Sequence, residues 1–149
     1  MRYVEFKLDH VYGKARKPYR KYIGDAGWDL TCCENTVIKP HEVKDIHTGV
    51  YMNMPPYIFA RITGRSSTLR KHNLLVNEAI IDNGYTGELF ICVKNMSDQP
   101  FFVESGMRLA QIIFHRMEDV RWVEVEAEKF KDKDRGNKGF GSTGIFTED

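Results

Sequence analysis

The sequence lacks long hydrophobic runs and a charge excess of either sign. No stretch approaches the ~18 consecutive apolar residues of a membrane-spanning helix, so no segment is expected to cross a membrane. The 149 residues include 22 basic and 21 acidic side chains, and the net charge of +1 provides no global attraction to nucleic acid or membrane surfaces. An anion that the chain binds must therefore be held by a local group of residues.

Cysteine is also scarce, and its placement favours neither a disulfide framework nor a metal site. The three cysteines are Cys32, Cys33 and Cys92; two of them are adjacent, and none forms a CxxC pair. We expect all three to be reduced and structural. The N-terminal residues are charged throughout and contain no apolar signal-peptide core, so a cytoplasmic or otherwise intracellular protein is expected.

Short apolar runs rich in Val, Ile, Phe, Tyr and Trp are present instead of helical stripes. Runs such as RYVEFKL, YIFARIT, RLAQIIF and RWVEVEA are separated by turn clusters such as GDAG, KPHE and DNGYTG. This series predicts an all-β domain of sandwich or barrel type. Only residues 66–73 (SSTLRKHN) favour a helical turn or two. We assign residues 1–125 to the β domain and residues 126–149, which are polar and Gly-rich, to a flexible C-terminal arm.

Two polar stretches in the first half of the chain are candidate binding sites. In DAGWDL (25–30), Asp29 is either a site carboxylate or a solvent-facing residue that bonds backbone or an arginine. In GRSST (64–68), Arg65 and two serines precede the helical stretch. They form either an anion cradle, with backbone N–H groups at a helix start, or a helix N-cap by Ser66 or Ser67.

The stretch AIIDNGYTGEL (79–89) is the most informative internal segment. The NGYTG turn between two apolar runs predicts a β-hairpin. Asp82 at its edge could hold and deprotonate a water molecule if a substrate lies over it. Tyr85 would stand at the same mouth. The alternative is an Asx-turn made by Asp82 and a tyrosine that packs on the hairpin.

The stretch RLAQIIF (108–114) begins a strand with an arginine and a glutamine. Strict alternation places Leu109 and Gln111 on one face and Arg108 with Ala110 on the other. The alternative to a binding role is a strand with an arginine at its edge.

The C-terminal stretch DRGNKGFGSTGIFTED combines four glycines with two phenylalanines. It is either a linker or a lid. As a lid, its glycine-rich backbone could wrap phosphate oxygens, Arg135 could bind a phosphate, and Phe140 could lie flat on a planar ring.

Taken together, five segments in this order resemble the trimeric dUTPase family. They are AGWDL (26–30), RSS (65–67), AIIDNGYTGE (79–88), RLAQ (108–111) and RGNKGFGSTG (135–144). The resemblance implies a distorted, jelly-roll-like β domain with a flexible C-terminal arm, assembled as a homotrimer. Each active site would lie between subunits and be closed by an arm from another chain.

The resemblance also implies a hydrolase that converts dUTP and water into dUMP and pyrophosphate by water attack on the α-phosphorus. This reaction keeps uracil out of DNA and supplies dUMP for thymidylate synthesis. Mg²⁺ would be held by the substrate phosphates with no direct protein ligand, and Asp29 would approach it at most through water. The implied partners are dUTP and further copies of the chain, without membrane or nucleic acid.

The family pattern further implies a role for each matching residue. Asp82 would activate the water, Tyr85 would pack under the deoxyribose and exclude a 2′-hydroxyl, and Phe140 would stack on the uracil. Asp29 and Arg108 would act behind the residues that touch the substrate. The substrate-binding residues would be Arg65, Ser66, Ser67, Asn77, Ile81, Tyr85, Gln111, Arg135, Phe140, Gly141, Ser142 and Thr143.

Two other functions stay open at this point. RSSTLR (65–70) also resembles the RSSxxR of dCTP deaminases, some of which are bifunctional, but Cys92 stands where their proton-shuttling glutamate is expected. The second alternative is a nucleotide-sensing regulatory module that signals through an unknown protein partner.

Overall fold

Ten β-strands and one short α-helix make up most of the regular structure in residues 2–130 and 133–147, which are the residues that the computed structural model describes. The predicted all-β class is confirmed. The strands are β1 (Glu5–Leu8), β2 (Gly27–Thr31), β3 (Thr36–Ile38), β4 (Val43–Asn53), β5 (Ile58–Gly64), β6 (Leu74–Val76), β7 (Ala79–Ile81), β8 (Glu88–Asn95), β9 (Phe101–Val103) and β10 (Arg108–Arg116). The helix α1 spans Ser66–His72, and a single 3₁₀ turn spans Ala127–Lys129.

The chain divides into two units, Met1–Glu118 and Asp119–Asp149, which we call the β unit and the C-terminal unit. The predicted start of the arm at residue 126 stays a prediction. Within the described ranges, no helix has the length and apolar character to cross a membrane.

The β unit contains two antiparallel four-stranded sheets and a two-stranded ribbon. The first sheet has the order β1-β4-β8-β6, the second has the order β2-β10-β5-β7, and β3 pairs with β9. Along β8, Leu89, Ile91 and Val93 are buried while the residues between them face outward, so the strand has one core face. One apolar cluster includes buried residues from both sheets. Each such side chain stabilises the fold by roughly 1.5–3 kcal/mol relative to an exposed position.

The predicted helical stretch forms α1, directly after β5. The helix ends where Asn73 takes a left-handed conformation with φ of 53°. Thr68 is buried, and its hydroxyl donates to the backbone oxygen of Leu109 at 2.7 Å. This bond ties the helix to the start of β10, so residues 65–67 and the first residues of β10 are held close together.

The predicted hairpin at residues 79–89 is wrong. β7 pairs with β5, whereas β8 pairs with β4 and β6, so the two strands belong to different sheets. Only the tight turn is present, with the Tyr85 N–H donating to the backbone oxygen of Asp82 at 3.0 Å. The reason is that β7 has only three residues, and the next segment crosses to the other sheet instead of returning alongside it. The divergence leaves a groove between β7 and β8.

The C-terminal unit contains little regular structure. The run RWVEVEA, predicted as a strand, forms none, because it finds no strand partner within the described part of the chain. Its apolar side chains are exposed, with Trp122 at 97% and Val123 at 77%. The prediction of a strand at this position is therefore wrong for the single chain.

Candidate active site

A carboxylate on β2 binds two arginines that are far apart in the sequence. Asp29 Oδ1 lies 2.9 Å from Nε of Arg65, and Asp29 Oδ2 lies 3.1 Å from Nη1 of Arg108. Arg65 also donates from Nη1 to the backbone oxygen of Arg108 at 3.0 Å. We call these three residues the Asp29 cluster. The alternative in which Asp29 bonds an arginine is thus the one observed, and it places two cations side by side at the surface.

The position of Arg108 differs from strict strand alternation. Arg108 pairs with Thr31, Ala110 pairs with Leu30, and the register shifts between them, as in a β-bulge. The bulge turns Arg108 toward Asp29, which is the cross-strand partner of Gln111. Because cross-strand partners share a face, Arg108 and Gln111 reach the same side of the sheet. The prediction that they lie on opposite faces is wrong.

The start of α1 adjoins this cluster. The N-cap residue is Arg65 and it makes no side-chain cap bond, so the alternative of an N-cap by Ser66 or Ser67 is not what the structure has. Ser66 and Ser67 are instead the first helical residues, whose N–H groups have no acceptor within the helix. The first turn contains no acidic residue. Free donors beside arginines form a cradle suited to an anion.

Gln111 lies at the same end of the sheet, where a glycine provides its space. Its Nε2 donates to the backbone oxygen of Gly64 at 3.2 Å. A Cβ atom added to Gly27 would lie 2.2 Å from Gln111 Oε1. Sequence analysis did not single out Gly27, although it belongs to the AGWDL stretch; only the close packing reveals why no side chain fits.

The groove between β7 and β8 has a volume of about 310 Å³. It is lined by residues 79–82 on one side and by Tyr85, Glu88, Phe90, Cys92 and Asp45 on the other. β7 is the terminal strand of its sheet, so the backbone groups on its second edge are not used in that sheet. The groove therefore combines apolar walls with free backbone donors and acceptors, as expected of a site for a planar polar ring.

Asp82 lies at the mouth of this groove and is exposed. Among the described residues, its carboxylate makes no hydrogen bond, so the alternative of an Asx-turn is not what the structure has. Asn83 anchors the turn, because its Nδ2 donates to the backbone oxygens of Pro55 and Ile58 at 2.8 and 2.7 Å. Sequence analysis missed Asn83; its position next to Asp82 was the available signal.

Tyr85 lines the groove, whereas Asn77 precedes β7, the strand that forms one of its walls. The Tyr85 hydroxyl donates to the backbone oxygen of Glu88 at 2.7 Å, and 41% of the tyrosine is exposed. The backbone N–H of Asn77 donates to the backbone oxygen of Cys92 at 2.8 Å. The Asn77 side chain takes no part in this bond and is exposed. Ile81 is half-buried and pairs with Ala60 on β5.

The remaining predicted residues belong to the C-terminal unit. Arg135 donates from Nε to the backbone oxygen of Lys138 at 2.9 Å. Phe140 has a positive φ of 50° and is fully exposed, and Gly141 has a φ of 94°. Ser142 and Thr143 are exposed in the turns that follow. The arm thus presents an uncovered aromatic ring within a backbone that only glycine-rich sequence adopts readily.

The cysteines are free, as predicted: Cys32 and Cys33 are buried and Cys92 is partly buried. Burial raises the pKa of Cys32 to about 12. The pKa of Cys92 in the groove is raised first by burial and then by its hydrogen bond with Asp45. Within the described residues, no three His, Cys, Asp or Glu side chains converge as metal ligands.

Two β-sheets that carry a cradle beside two arginines and a groove with free backbone groups favour a protein that binds a ligand with an anionic part and a polar ring, as a nucleotide has. Comparison with known proteins then gives the family. The family model described as dUTPase matches residues 14–144. The chain belongs to the dUTPase family, which confirms the predicted membership.

Relatives and solved structures agree with this match. The chain is 41% identical over 141 residues to a deoxyuridine 5′-triphosphate nucleotidohydrolase of Clostridioides difficile, with coverage of 93% of this chain and 97% of the relative. It is 36% identical over 145 residues to one of Clostridium kluyveri, with coverage of 96% and 100%. The dUTPase of Staphylococcus bacteriophage 80alpha, solved with dUPNHPP, superposes with a TM-score of 0.85 at 29% identity, covering 96% of this chain and 99% of that one.

A further similar structure contains a metal. A mutant dUTPase from phage phi11 of S. aureus, described as revealing the coordination of a structural Mg(II) ion, has a TM-score of 0.77 at 26% identity. The match covers 86% of this chain and 99% of that one.

Proposed function

We propose that the chain hydrolyses dUTP to dUMP and pyrophosphate, with water attacking the α-phosphorus. The observation that carries this proposal is the groove that Asp82 and Tyr85 share, one wall of which is the open edge of β7. The related proteins are named for this reaction, and one similar structure holds the substrate analogue dUPNHPP.

Asp82 is the proposed group that orients and deprotonates the attacking water. Its carboxylate is exposed, and it has no partner among the described residues that would compete for the water. General-base catalysis by a positioned side chain contributes about 10²–10⁴-fold to a rate. In phosphoryl transfer the larger part comes from in-line positioning and neutralisation of charge.

The phosphate chain is proposed to lie on the start of α1. Arg65, the N–H and hydroxyl groups of Ser66 and Ser67, and Gln111 would contact its oxygens. Asp29 engages both Arg65 and Arg108, so it holds the arginines in position before substrate arrives. Preorganised cations of this kind stabilise developing charge without reorganising during the reaction.

The uracil and the deoxyribose are proposed to occupy the β7–β8 groove. The backbone of residues 77–82, together with Asn77 and Ile81, would contact the edge of the base. Tyr85 would pack under the sugar, and its hydroxyl is already bound to the Glu88 backbone, which favours a fixed ring position. A fixed ring leaves less space for a 2′-hydroxyl and so discriminates against UTP.

Mg²⁺ is the proposed cofactor, carried by the substrate phosphates. Asp29 contacts the arginines of the cradle, and because both of its oxygens are engaged by them, it fits a contact through water and not direct ligation. Mg²⁺ generally retains waters and binds proteins through few carboxylates and substrate phosphates. When bound, it would neutralise charge on the phosphate oxygens.

A homotrimer of jelly-roll-like domains is the proposed assembly, with each arm closing a site on another chain. Two observations support contacts between copies. Trp122 and Val123 are exposed in the single chain, and the β unit has an apolar pocket of about 390 Å³ lined by residues such as Phe6, Trp28 and Phe114. Arg135, Ser142 and Thr143 would then bind the terminal phosphate, with the Gly141 backbone beside them and Phe140 on the uracil.

A pyrophosphate-release assay over dUTP, UTP, dTTP and dCTP, with and without Mg²⁺, tests the proposed function. We expect release from dUTP with Mg²⁺ and little from the other three nucleotides. Purified, folded protein that leaves dUTP intact in the presence of Mg²⁺ would contradict the proposal. Light scattering in the same buffer tests the assembly, for which three chain masses are expected.

A further inference from the structure

A buried carboxylate lies in the wall of the groove. The side chain of Glu88 is only 8% exposed. Nδ1 of His47 lies 3.0 Å from both of its oxygens, and the Gly49 N–H donates to Oε1 at 2.9 Å. Because an ionised carboxylate only accepts hydrogen bonds, we assign Nδ1 as the donor in this contact. The carboxylate is therefore satisfied by donors that all come from β4.

His47 is itself held from two sides. The ring of Tyr12 stacks on it with the ring centroids 3.6 Å apart and the planes 14° apart. Phe90, a wall residue of the groove, lies 5.0 Å from it in a tilted arrangement. The backbone of His47 is held as well. Its N–H donates to Oε1 of Glu34 at 3.1 Å, and the backbone oxygen of His47 accepts from the Cys33 N–H at 3.0 Å.

The chain of contacts continues to the tyrosine at the groove mouth. The backbone oxygen of Glu88 accepts the Tyr85 hydroxyl at 2.7 Å. Gly87 lies against the same hydroxyl, because a Cβ atom there would be 2.6 Å from it. The Glu88 backbone is thus the anchor of the Tyr85 hydroxyl. Two sets of contacts hold this backbone on β4, namely the strand pairing of Glu88 with Tyr51 and the bonds of the Glu88 side chain with His47 and Gly49.

We infer that His47 is a positioning residue for sugar recognition: through Glu88 it fixes Tyr85, and so sharpens the discrimination between deoxyribose and ribose. This inference rests on the proposed function, because it takes the groove as the site of the nucleotide. His47 does not line the groove, and it acts on the substrate only through Glu88 and Tyr85.

Two variants separate the hydrogen bond from the ring stack. His47→Phe keeps an aromatic ring between Tyr12 and Phe90 but removes the donor to Glu88. His47→Asn removes the ring but retains an amide donor near the position of Nδ1. The measured quantity is the ratio of kcat/KM for dUTP to kcat/KM for UTP, determined for the full chain with Mg²⁺.

We expect His47→Phe to lower this ratio about tenfold, the size of effect that loss of one hydrogen bond to a charged group produces. His47→Asn should recover most of the ratio, because it restores the donor. Combining His47→Phe with Tyr85→Phe should lower the ratio little beyond Tyr85→Phe alone, because both changes break the same chain of contacts.

His41→Asn is the matched control. His41 also binds a carboxylate, with Nε2 2.8 Å from Oδ1 of Asp98, but this pair is exposed and does not line the groove. The dUTP-to-UTP ratio of kcat/KM for His41→Asn should equal that of the wild type. Melting curves for all variants identify any that fail to fold. If His47→Phe is one of them, Tyr12→Leu replaces it, since Tyr12 is 55% exposed and its loss loosens the His47 ring. We then expect about a threefold lower ratio.

The outcomes separate the two proposals. A wild-type protein without dUTP hydrolysis contradicts the proposed function. An active wild type whose ratio is unchanged in folded His47→Phe, or in Tyr12→Leu where that variant replaces it, overturns the positioning role alone. A lower ratio in His47→Phe that His47→Asn restores supports it.

Discussion

The Asp29 cluster and the glycine-rich arm contribute to the same proposed reaction, but their side chains are held in opposite ways. In the cluster, each oxygen of Asp29 binds an arginine, and Arg65 also bonds the backbone of residue 108. In the arm, Phe140 is fully exposed and stands on a backbone with a positive φ. The cluster is organised by its own contacts, whereas the aromatic ring of the arm is exposed to solvent.

This difference indicates where binding energy is used. A preorganised cluster needs little reordering when an anion arrives, so it favours affinity and charge stabilisation. An uncovered ring next to glycines loses conformational entropy on docking, so its closure depends on a ligand that provides enough contact area.

The largest effect is expected at a residue of neither region. Asp82→Asn removes the proposed base and should lower kcat about 10³-fold, while nucleotide binding is retained. Pyrophosphate release measures kcat, and calorimetry with dUPNHPP measures binding. Turnover equal to the wild type would show that another group activates the water.

Removing the arm tests the second half of the comparison. Deletion of residues 135–149 should leave a folded β unit and lower kcat/KM for dUTP about a hundredfold, because water is no longer excluded and the phosphates are misplaced. Phe140→Ala should give part of this loss. Circular dichroism checks the fold, and full activity of the truncated chain would contradict the lid.

Breaking the cluster should have a smaller effect on activity and a measurable effect on stability. Asp29→Asn removes one charge that holds two arginines, so we expect about a tenfold lower kcat/KM and a free energy of unfolding lower by about 1–2 kcal/mol. Urea denaturation measures the second quantity. Asp98→Asn, which breaks an exposed pair with His41, should change it by less than about 0.5 kcal/mol. Similar losses for the two variants would argue against preorganisation by Asp29.

The smallest effect on activity is expected from changes at the buried thiol of Cys32. Burial raises the pKa of Cys32 from its ordinary value of 9.0 to about 12, so it should react with Ellman's reagent at pH 8 far more slowly than a denatured control. In the unfolded chain the thiol ionises above pH 9.0, while in the folded chain it stays protonated. Stability should therefore be fully present below pH 9 and fall as pH rises toward 12, which pH-dependent urea denaturation measures. Rapid labelling of Cys32 in the folded protein would contradict its burial.

Local features of the sequence were sufficient for much of the architecture. Short β-branched and aromatic runs between turn clusters predicted the all-β class, and the stretch 66–73 predicted the one α-helix of the described residues. Five motifs in order predicted the family, which the match over residues 14–144 confirms. Each of these depends on residues close together in the chain or on a recurrent pattern.

The sequence by itself therefore determined the all-β class, most of the strand segments of the β unit, where the helix lies and which family the chain belongs to. Only the tertiary structure decided that β7 and β8 separate into two sheets, that a bulge turns Arg108 toward Asp29, and that His47 meets Glu88. The physical reason is that strand propensity is local, whereas pairing, register and side-chain contacts depend on partners from distant parts of the chain.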